Sequence, residues 1–415
     1  MAEYRSRLSE SELDRRFATR VRPFVFGGYP KPSGRPTLVL LGAQPAAGKS
    51  SAAASVTRRH PEGALVPLTG DELRPFHPDY SRVAAEAPLM MPNVTSQASG
   101  QWVKRAIDYA ERERHSLLLE GVFRDPEMVV GTAERFDRAG FDVEAVGLAV
   151  RAEESLLSSV GRYLHPGEGV DVGRWTPLGA HESAYPMIPQ TLRACQDSPH
   201  LSRITVTDRT GADLYVLERG GDGQWHPDPR HPGVPVEEFA EQHRSRPLEP
   251  AQGQAWLAAY WQYSREMLER GDMNSTTAPT FLRLHEHAVR VADAVYAQEK
   301  EVPQSADLPR SRAEHDRWQQ VHKVVVTAAE RGTPNAELPH SPDLFFDAGT
   351  EEKRRIVAVL QEAGGMEGAG EAREAVSRAR QGMVPPGQRP PQGQAQPGGA
   401  ADRPRGREQG PDLRR

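Results

Sequence analysis

Cysteine is almost missing from this sequence, since its 415 residues include a single one, Cys195. One cysteine excludes an intramolecular disulfide framework and indicates a reducing compartment. We interpret Cys195 as a structural residue rather than a nucleophile. No apolar run approaches the about 18 residues that a membrane-spanning helix requires, and the N-terminal residues lack the apolar segment of a secretory signal. The sequence therefore predicts a soluble, cytoplasmic protein with no membrane partner.

A strong charge of either sign is also missing. The formal net charge of −5 is small for this length and gives no overall basic surface for nucleic acid. Apolar residues make up 37% of the chain, which is low for one packed globule, and 36 prolines with 37 glycines indicate that part of it is unfolded. The length allows two or three domains.

The most informative stretch is residues 37–54, where an apolar run leads into a turn of small residues and then Gly48-Lys49-Ser50. This order predicts a strand, a phosphate-binding loop and a helix, whose backbone N–H groups surround a phosphate. Lys49 is expected to reach the β- and γ-phosphates of a nucleoside triphosphate, and the Ser50 hydroxyl to bind Mg²⁺. The predicted nucleotide-binding residues are Gly42, Ala43, Gln44, Pro45, Ala46, Ala47, Gly48, Lys49, Ser50 and Ser51.

The loop departs from the usual phosphate-loop pattern at one position. Ala43 stands where the first glycine belongs, and Gly42 lies one residue earlier. Alanine is acceptable there only if its φ is negative.

Strand-like and helical segments alternate along the first half of the chain. This alternation predicts an α/β fold of the P-loop NTPase type, with a mostly parallel sheet flanked by helices. Strands are expected at 37–42, 64–68, 117–119 and 143–150, with two more around a turn within 203–218, and helices at 8–23, 50–59, 97–114 and 126–139.

Composition and periodicity divide the chain into four parts. Residues 1–36 form an N-terminal helix and linker, and residues 37–230 the P-loop domain. Helical patterns at 252–270, 280–299, 311–331 and 350–362 predict a C-terminal helical extension of unknown role over residues 231–380. Residues 381–415 are rich in Pro, Gly, Gln and Arg and are expected to form a disordered tail.

Two carboxylates follow predicted strands at the edge where a P-loop protein binds its ligand. Asp71 follows the second strand and is a candidate general base for an attacking hydroxyl, although it is as readily explained as a helix cap. Glu120 ends the third strand, where a carboxylate is expected to hold Mg²⁺ either directly or through a water molecule bound to the ion. Arg124 follows four residues later and is expected to face the same cleft.

Arg162 and Arg174 flank a segment rich in glycine and proline. Such a pair suits a lid that closes over phosphates, because arginine is planar and always protonated. The alternative is that both are ordinary surface arginines.

Taken together in order and approximate spacing, these residues resemble the zeta-toxin family of P-loop kinases from toxin–antitoxin systems. The resemblance covers about residues 8–220. The motifs that carry it are Ala43-Gln44-Pro45-Ala46-Ala47-Gly48-Lys49-Ser50, Gly70-Asp71, His77-Pro78, Glu120-Gly121, Arg162-Tyr163 and Arg174-x-Thr176-Pro177-x-x-Ala180-His181.

The resemblance implies a kinase that uses ATP or GTP with Mg²⁺ to phosphorylate a hydroxyl of a UDP-activated amino sugar, typically the 3′-hydroxyl of UDP-N-acetylglucosamine. It also implies a small helical antitoxin as partner. Carried over by position, Lys49 and Ser50 hold phosphates and Mg²⁺, and Asp71 is the general base. Arg162 and Arg174 stabilise the transferring phosphoryl group. The implied substrate-binding residues are Asp71, Arg74, Glu120 and Arg124.

Three departures from the family pattern bear on sugar specificity. Val122 replaces a substrate-contacting threonine, Ala43 and Ala46 replace glycines, and a family glutamate has Gln101 or Lys104 as its nearest counterpart. Two alternatives therefore stay open. One is a P-loop phosphotransferase for another small hydroxyl compound, comparable with the chloramphenicol phosphotransferases, and the other is a non-catalytic nucleotide switch with a helical partner-binding region.

Overall fold

The computed structural model describes residues 4–60, 64–121, 123–166, 173, 175–298 and 308–334. Its strands are β1 (Thr37–Gly42), β2 (Val66–Leu68), β3 (Leu117–Gly121), β4 (Asp142–Leu148), β5 (Arg203–Thr207), β6 (Asp213–Arg219) and β7 (Trp225–His226).

Helices precede the first strand and separate most of the others. They are α1 (Glu10–Arg16), α2 (Arg22–Phe26), α3 (Lys49–Arg59), α4 (Tyr80–Glu86), α5 (Met91–Glu113), α6 (Pro126–Arg138), α7 (Ala152–Leu164), α8 (Leu178–Ala184), α9 (Met187–Asp197), α10 (Val236–Arg244), α11 (Pro250–Glu269), α12 (Ala278–Gln298) and α13 (Arg312–Glu330). A π-helical turn, Phe17–Val21, joins α1 to α2, and 3₁₀ turns cover Arg74–Phe76 and Pro88–Met90. No helix in the described ranges is long and apolar enough to cross a membrane.

The described strands form one sheet in the order β2-β3-β1-β4-β5-β6-β7. The first five strands in this order are parallel, and β6 and β7 continue the sheet antiparallel. The register pairs Leu41 with Glu120 and Gly42 with Gly121, so the ends of β1 and β3 meet at one edge. The predicted α/β fold with a mostly parallel sheet is confirmed.

The central strand β1 is buried on both faces, and every residue from 38 to 41 is apolar. Successive side chains of a strand point to opposite faces, so these residues contribute to both cores. Leu38 and Leu40 join one apolar core, and Val39 and Leu41 join the core on the opposite face. A strand covered by helices on both sides reads as a continuous apolar run, as residues 38–41 do. This burial fixes the position of the loop that follows.

A third apolar core lies between α7 and the C-terminal helices α11, α12 and α13. It contains Leu156 and Val160 of α7 together with Trp261, Phe281 and Val325 of the extension. Gly161 makes room for this packing, since a Cβ there would lie 2.8 Å from the Tyr263 hydroxyl. The extension therefore shares a core with one helix of the P-loop domain.

Most predicted elements are present, with ends shifted by a few residues. β1 has the predicted bounds, and α5 begins six residues before the predicted position 97, at Met91. Helices α7, α8, α9 and α10 were missed. Two of them do carry a helical signal, since Ile188, Leu192 and Cys195 of α9 and Val236, Phe239 and Ala240 of α10 recur at helical spacing and are buried. The helix predicted at 350–362 and the tail 381–415 lie outside the described residues.

Candidate active site

The phosphate loop joins the end of β1 to the start of α3. Gly48 immediately precedes the helix with φ 99° and ψ 27°, a left-handed conformation that favours glycine. A Cβ at this position would also lie 2.6 Å from the carbonyl oxygen of Arg209. No side chain caps the start of α3, so the N–H groups of its first turn are the donors available to a phosphate.

The alanines of the loop take two different conformations. Ala43 is fully buried and is not among the described residues with positive φ. Alanine is therefore acceptable in place of the usual glycine at this position. Ala46, in contrast, has φ 58°, a conformation that costs an L-residue about 1–2 kcal/mol. Gly42 belongs to β1, and its missing side chain makes room for the ring of Phe123, which a Cβ would meet at 1.9 Å.

Lys49 is half-buried in the loop, while Ser50 and Ser51 are exposed at the start of the helix. The ammonium of Lys49 donates hydrogen bonds to the carbonyl oxygens of Ala43 (3.3 Å) and Gln44 (3.2 Å). This position holds the positive charge beside the first turn of α3. The Ser50 hydroxyl is accessible to a metal ion bound with a nucleotide.

Glu120, Glu72 and Asp71 bring negative charge to the same edge of the sheet. Burial raises the pKa of Glu120, the charge of Lys49 opposes this shift, and the carboxylates of Glu72 and Asp71 raise it further. Burial and the neighbouring Asp71 also raise the pKa of Glu72. Sequence reasoning missed Glu72, although it directly follows Asp71. Of these carboxylates, Glu120 at the end of β3 and close enough to Lys49 to feel its charge is the one that fits Mg²⁺ bound with a nucleotide.

Asp71 is held in place by Arg74. The Arg74 Nε donates to the Asp71 carboxylate at 3.2 Å, and its Nη1 donates to the Thr95 hydroxyl of α5 at 2.6 Å. Asp71 keeps 46% of its side chain exposed, whereas Arg74 keeps 16%. The buried arginine therefore positions an accessible carboxylate.

Arg162 lies on α7, where its Nη2 donates to the hydroxyl of Thr176 at 2.9 Å. Thr176 is 6% exposed, so the threonine of the Arg-x-Thr-Pro string holds Arg162 through a buried hydroxyl. Arg124 is exposed in the loop between β3 and α6. Arg174 and Val122 lie outside the described residues, and their predicted roles stay predictions.

A buried chain of hydrogen bonds ties the phosphate loop to α7 and α8. The Gln44 amide nitrogen donates to the Val150 carbonyl oxygen (3.0 Å) and to the Ser155 hydroxyl (3.1 Å), which lies 2.8 Å from Nε2 of His181. Burial, and to a lesser extent Arg244, lowers the pKa of His181 to about 4. Gln44, predicted to bind the nucleotide, thus also has its amide nitrogen in a structural network, and this network accounts for the histidine of the Ala-His motif.

Arg209 is a further residue beside the loop that sequence reasoning missed. Its carbonyl oxygen abuts Gly48, and its side chain donates to the Ser158 hydroxyl at 3.0 Å and lies 3.8 Å from Glu154. It belongs to the turn between β5 and β6, which sequence analysis treated only as a hairpin.

Cys195 is a structural residue, as predicted. It is fully buried, and burial raises the pKa of its thiol to about 12, so the thiol is not poised to act as a nucleophile.

Residues 26–219, which contain the phosphate loop and all the site residues above, match the family model described as Zeta toxin. This part of the chain belongs to the zeta toxin family. The resemblance noted from the motifs is confirmed, and the zeta toxin domain is a kinase-type P-loop domain.

Individual relatives of the zeta toxin domain are distant in sequence. Toxin PezT of Streptococcus pneumoniae is 26% identical over 212 residues, which cover 50% of this chain and 81% of PezT. Toxin zeta of Enterococcus hirae is 24% identical over 182 residues, which cover 43% of this chain and 63% of that toxin. A solved structure from the PezAT toxin–antitoxin system of Streptococcus pneumoniae covers 64% of this chain and 99% of its own, with a TM-score of 0.51 and 19% identity, and supports the fold.

Proposed function

We propose that this protein is a kinase that transfers the γ-phosphoryl group of ATP or GTP to a hydroxyl of a sugar nucleotide, with UDP-N-acetylglucosamine as the first candidate acceptor. The observation that carries this proposal is the accessible Asp71 carboxylate, held by Arg74 at the sheet edge that also bears Glu120 and Lys49. A phosphate loop accounts for nucleotide binding alone. A positioned carboxylate beside it adds the proton acceptor that transfer to an alcohol requires.

In the proposed reaction, the acceptor hydroxyl oxygen forms a bond to the γ-phosphorus as the bond from that phosphorus to the β-phosphate oxygen breaks. Asp71 accepts the hydroxyl proton, and ADP or GDP leaves. Arg74 keeps the Asp71 carboxylate oriented through the hydrogen bond at 3.2 Å.

Lys49 and Arg162 neutralise the charge of the phosphates during transfer. Lys49 has to leave the carbonyl oxygens of Ala43 and Gln44 to reach them, while Thr176 holds Arg162 in place. The Ser50 hydroxyl would hold Mg²⁺, and Glu120 would hold it directly or through a water molecule. When present, this ion would neutralise part of the phosphate charge.

The choice of UDP-N-acetylglucosamine rests on membership of the zeta toxin family rather than on a contact in this structure. The carboxylates of Asp71 and Glu120 can accept hydrogen bonds from sugar hydroxyls. The guanidinium of the exposed Arg124 can bind a phosphate. The similarity to a protein of the PezAT toxin–antitoxin system also supports an antitoxin as partner, and we infer the small helical kind that the family resemblance implies. Expression of the wild-type chain is then expected to slow bacterial growth, and expression of Asp71→Asn is not.

The test is an acceptor panel with purified full-length protein, Mg²⁺ and γ-labelled ATP or GTP. The panel contains UDP-N-acetylglucosamine, UDP-glucose and chloramphenicol. We expect label on UDP-N-acetylglucosamine with wild type, about a hundredfold or greater loss with Asp71→Asn, and retained transfer with the matched control Glu72→Gln.

Each other outcome overturns part of the proposal. Label on chloramphenicol instead would identify the antibiotic-type phosphotransferase. Tight nucleotide binding without transfer to any acceptor would identify the non-catalytic switch. Full activity of Asp71→Asn would remove Asp71 as the base.

A further inference from the structure

A cavity lies where the zeta toxin domain meets the helical extension. Its volume is about 930 Å³, within the range of small-molecule sites. It is bounded by the start of α7, by α8, by the segment that follows α10 and by the middle of α12. Its lining includes Glu153, Tyr185, Arg244, Arg246, His287 and Arg290.

This cavity and the phosphate loop contact different faces of α7, although His181 in the cavity lining is linked to Gln44 of the loop through Ser155. Ser158 and Glu154 contact Arg209 beside Gly48, on the nucleotide side. Glu153 and Leu156 line the cavity. Residues 154 and 158 are one helical turn apart, whereas 154 and 156 point to nearly opposite sides.

The deepest charged group of the cavity is the guanidinium of Arg244, whose side chain is 1% exposed. Its Nε and Nη1 have no hydrogen-bond partner in the part of the chain that the structure describes. Glu241, itself 56% exposed, is 3.7 Å away, and the guanidinium lies 3.6 Å from the ring centroid of Tyr185. Burying donors of a charged group without acceptors costs free energy that a bound anion recovers.

The charges around Arg244 favour an anion. Of the acidic residues that line the cavity, Glu182 pairs with Arg283 and Asp293 with Arg312. Arg246 and Arg290 are exposed at the cavity and form no ion pair with any residue of the described ranges.

Glu153, His181 and His287 are further titratable groups in the lining. Burial raises the pKa of Glu153, against the opposing charges of Arg151 and Arg290. Burial lowers the pKa of His181 to about 4 and that of His287 to about 3, which keeps both rings neutral. The neutral ring of His287 accepts a hydrogen bond from Arg290 at 2.6 Å, which orients that arginine.

We propose that this cavity binds the anionic group, a phosphate or a carboxylate, of a small molecule, with Arg244 at its base and Arg246 and Arg290 at its rim. Arginine suits both anions because its planar guanidinium donates two parallel hydrogen bonds. The proposal concerns a site outside the phosphate loop and does not depend on the reaction proposed above.

The test is isothermal titration of the full-length protein, without nucleotide, with glycerol 3-phosphate and with citrate in separate experiments. We expect at least one probe to bind the wild type and the phosphate-loop variant Lys49→Ala equally. Arg244→Gln and Arg290→Gln should each weaken that binding about tenfold or more, the loss expected for one charge-assisted hydrogen bond. Arg193→Gln, which removes an exposed arginine from α9, is the matched control and should bind as the wild type does.

The probe that binds identifies the anion, since glycerol 3-phosphate reports a phosphate site and citrate a carboxylate site. Arg290→Gln keeps the test decisive if Arg244→Gln does not fold, because Arg290 is exposed. Failure of both probes to bind the wild type would overturn the proposal. Binding that Lys49→Ala abolishes and Arg290→Gln retains would also overturn it, because the probe would then sit in the phosphate loop.

Discussion

Replacing Ser155 with alanine tests whether the phosphate loop depends on its buried connection to α7 and α8. The single hydrogen of the Ser155 hydroxyl has the carbonyl oxygens of Arg151 and Ala152 as acceptors within its own helix, at 3.0 and 3.2 Å. With the hydrogen placed there and His181 in the tautomer that is protonated at Nε2, the hydroxyl oxygen accepts hydrogen bonds from the Gln44 amide and His181 Nε2, at 3.1 and 2.8 Å. Ser155→Ala therefore leaves two N–H donors without an acceptor in a site where Ser155 and Gln44 are fully buried.

The expected cost follows from these two orphaned donors. Each unsatisfied buried donor costs about 1–3 kcal/mol, and the higher helix propensity of alanine returns about 0.5 kcal/mol. The apparent free energy of unfolding should fall by about 2–5 kcal/mol. Nucleotide affinity should fall as well, because Gln44 is part of the loop that surrounds the phosphates.

Ser159→Ala provides a matched control one turn further along α7. Ser159 is 2% exposed, and its hydroxyl donates at 2.7 Å to the carbonyl oxygen of Leu156 within the same helix. Its loss leaves no donor unpaired and should cost less than about 1 kcal/mol. Urea denaturation followed by circular dichroism measures both variants, and fluorescence titration with a labelled ATP analogue measures affinity. Equal stability of the two variants would refute the assigned role of the network.

Three further variants probe the site itself. Thr176→Val removes the hydrogen bond to Arg162 and should lower kcat about tenfold with little change in KM for the nucleotide; an unchanged kcat would show that Arg162 needs no such support. Glu120→Gln should lower transfer yet raise stability by about 0.5–2 kcal/mol at neutral pH. Burial raises the pKa of Glu120 in the folded protein, so its ionisation destabilises the fold increasingly from the ordinary carboxyl pKa upward and fully above the raised pKa. The gain from Glu120→Gln should therefore vanish below the ordinary carboxyl pKa. Gly48→Ala should abolish nucleotide binding through its clash with Arg209, whereas Gly100→Ala, in open space on α5, should stabilise by about 1 kcal/mol.

The elements around the phosphate loop were predictable because their signals are local. The apolar run 38–41, the small-residue turn and Gly48-Lys49-Ser50 lie within one stretch of sequence, and the structure places β1 and α3 there. The proximity of Asp71 and Glu120 was predictable as well, because the carboxyl ends of parallel strands lie at the same edge of a sheet.

The contacts that join distant segments were not predictable from one sequence. Helix α7 is buried on several sides and packs against α11 and α12 of the extension, and no local pattern in its sequence identifies these partners. The link between Gln44 and His181 joins residues 137 positions apart through Ser155, and no spacing rule reports it. The cavity around Arg244 likewise exists only once α12 packs against α7 and α8.

The measurement that tests the central claim most directly is mass spectrometry of UDP-N-acetylglucosamine after incubation with the full-length protein, ATP and Mg²⁺. The account predicts that the sugar nucleotide gains one phosphoryl group with the wild type and none with Asp71→Asn, while Glu72→Gln still produces it. An unmodified sugar nucleotide, from wild-type protein shown by titration to bind ATP, would contradict the proposed acceptor.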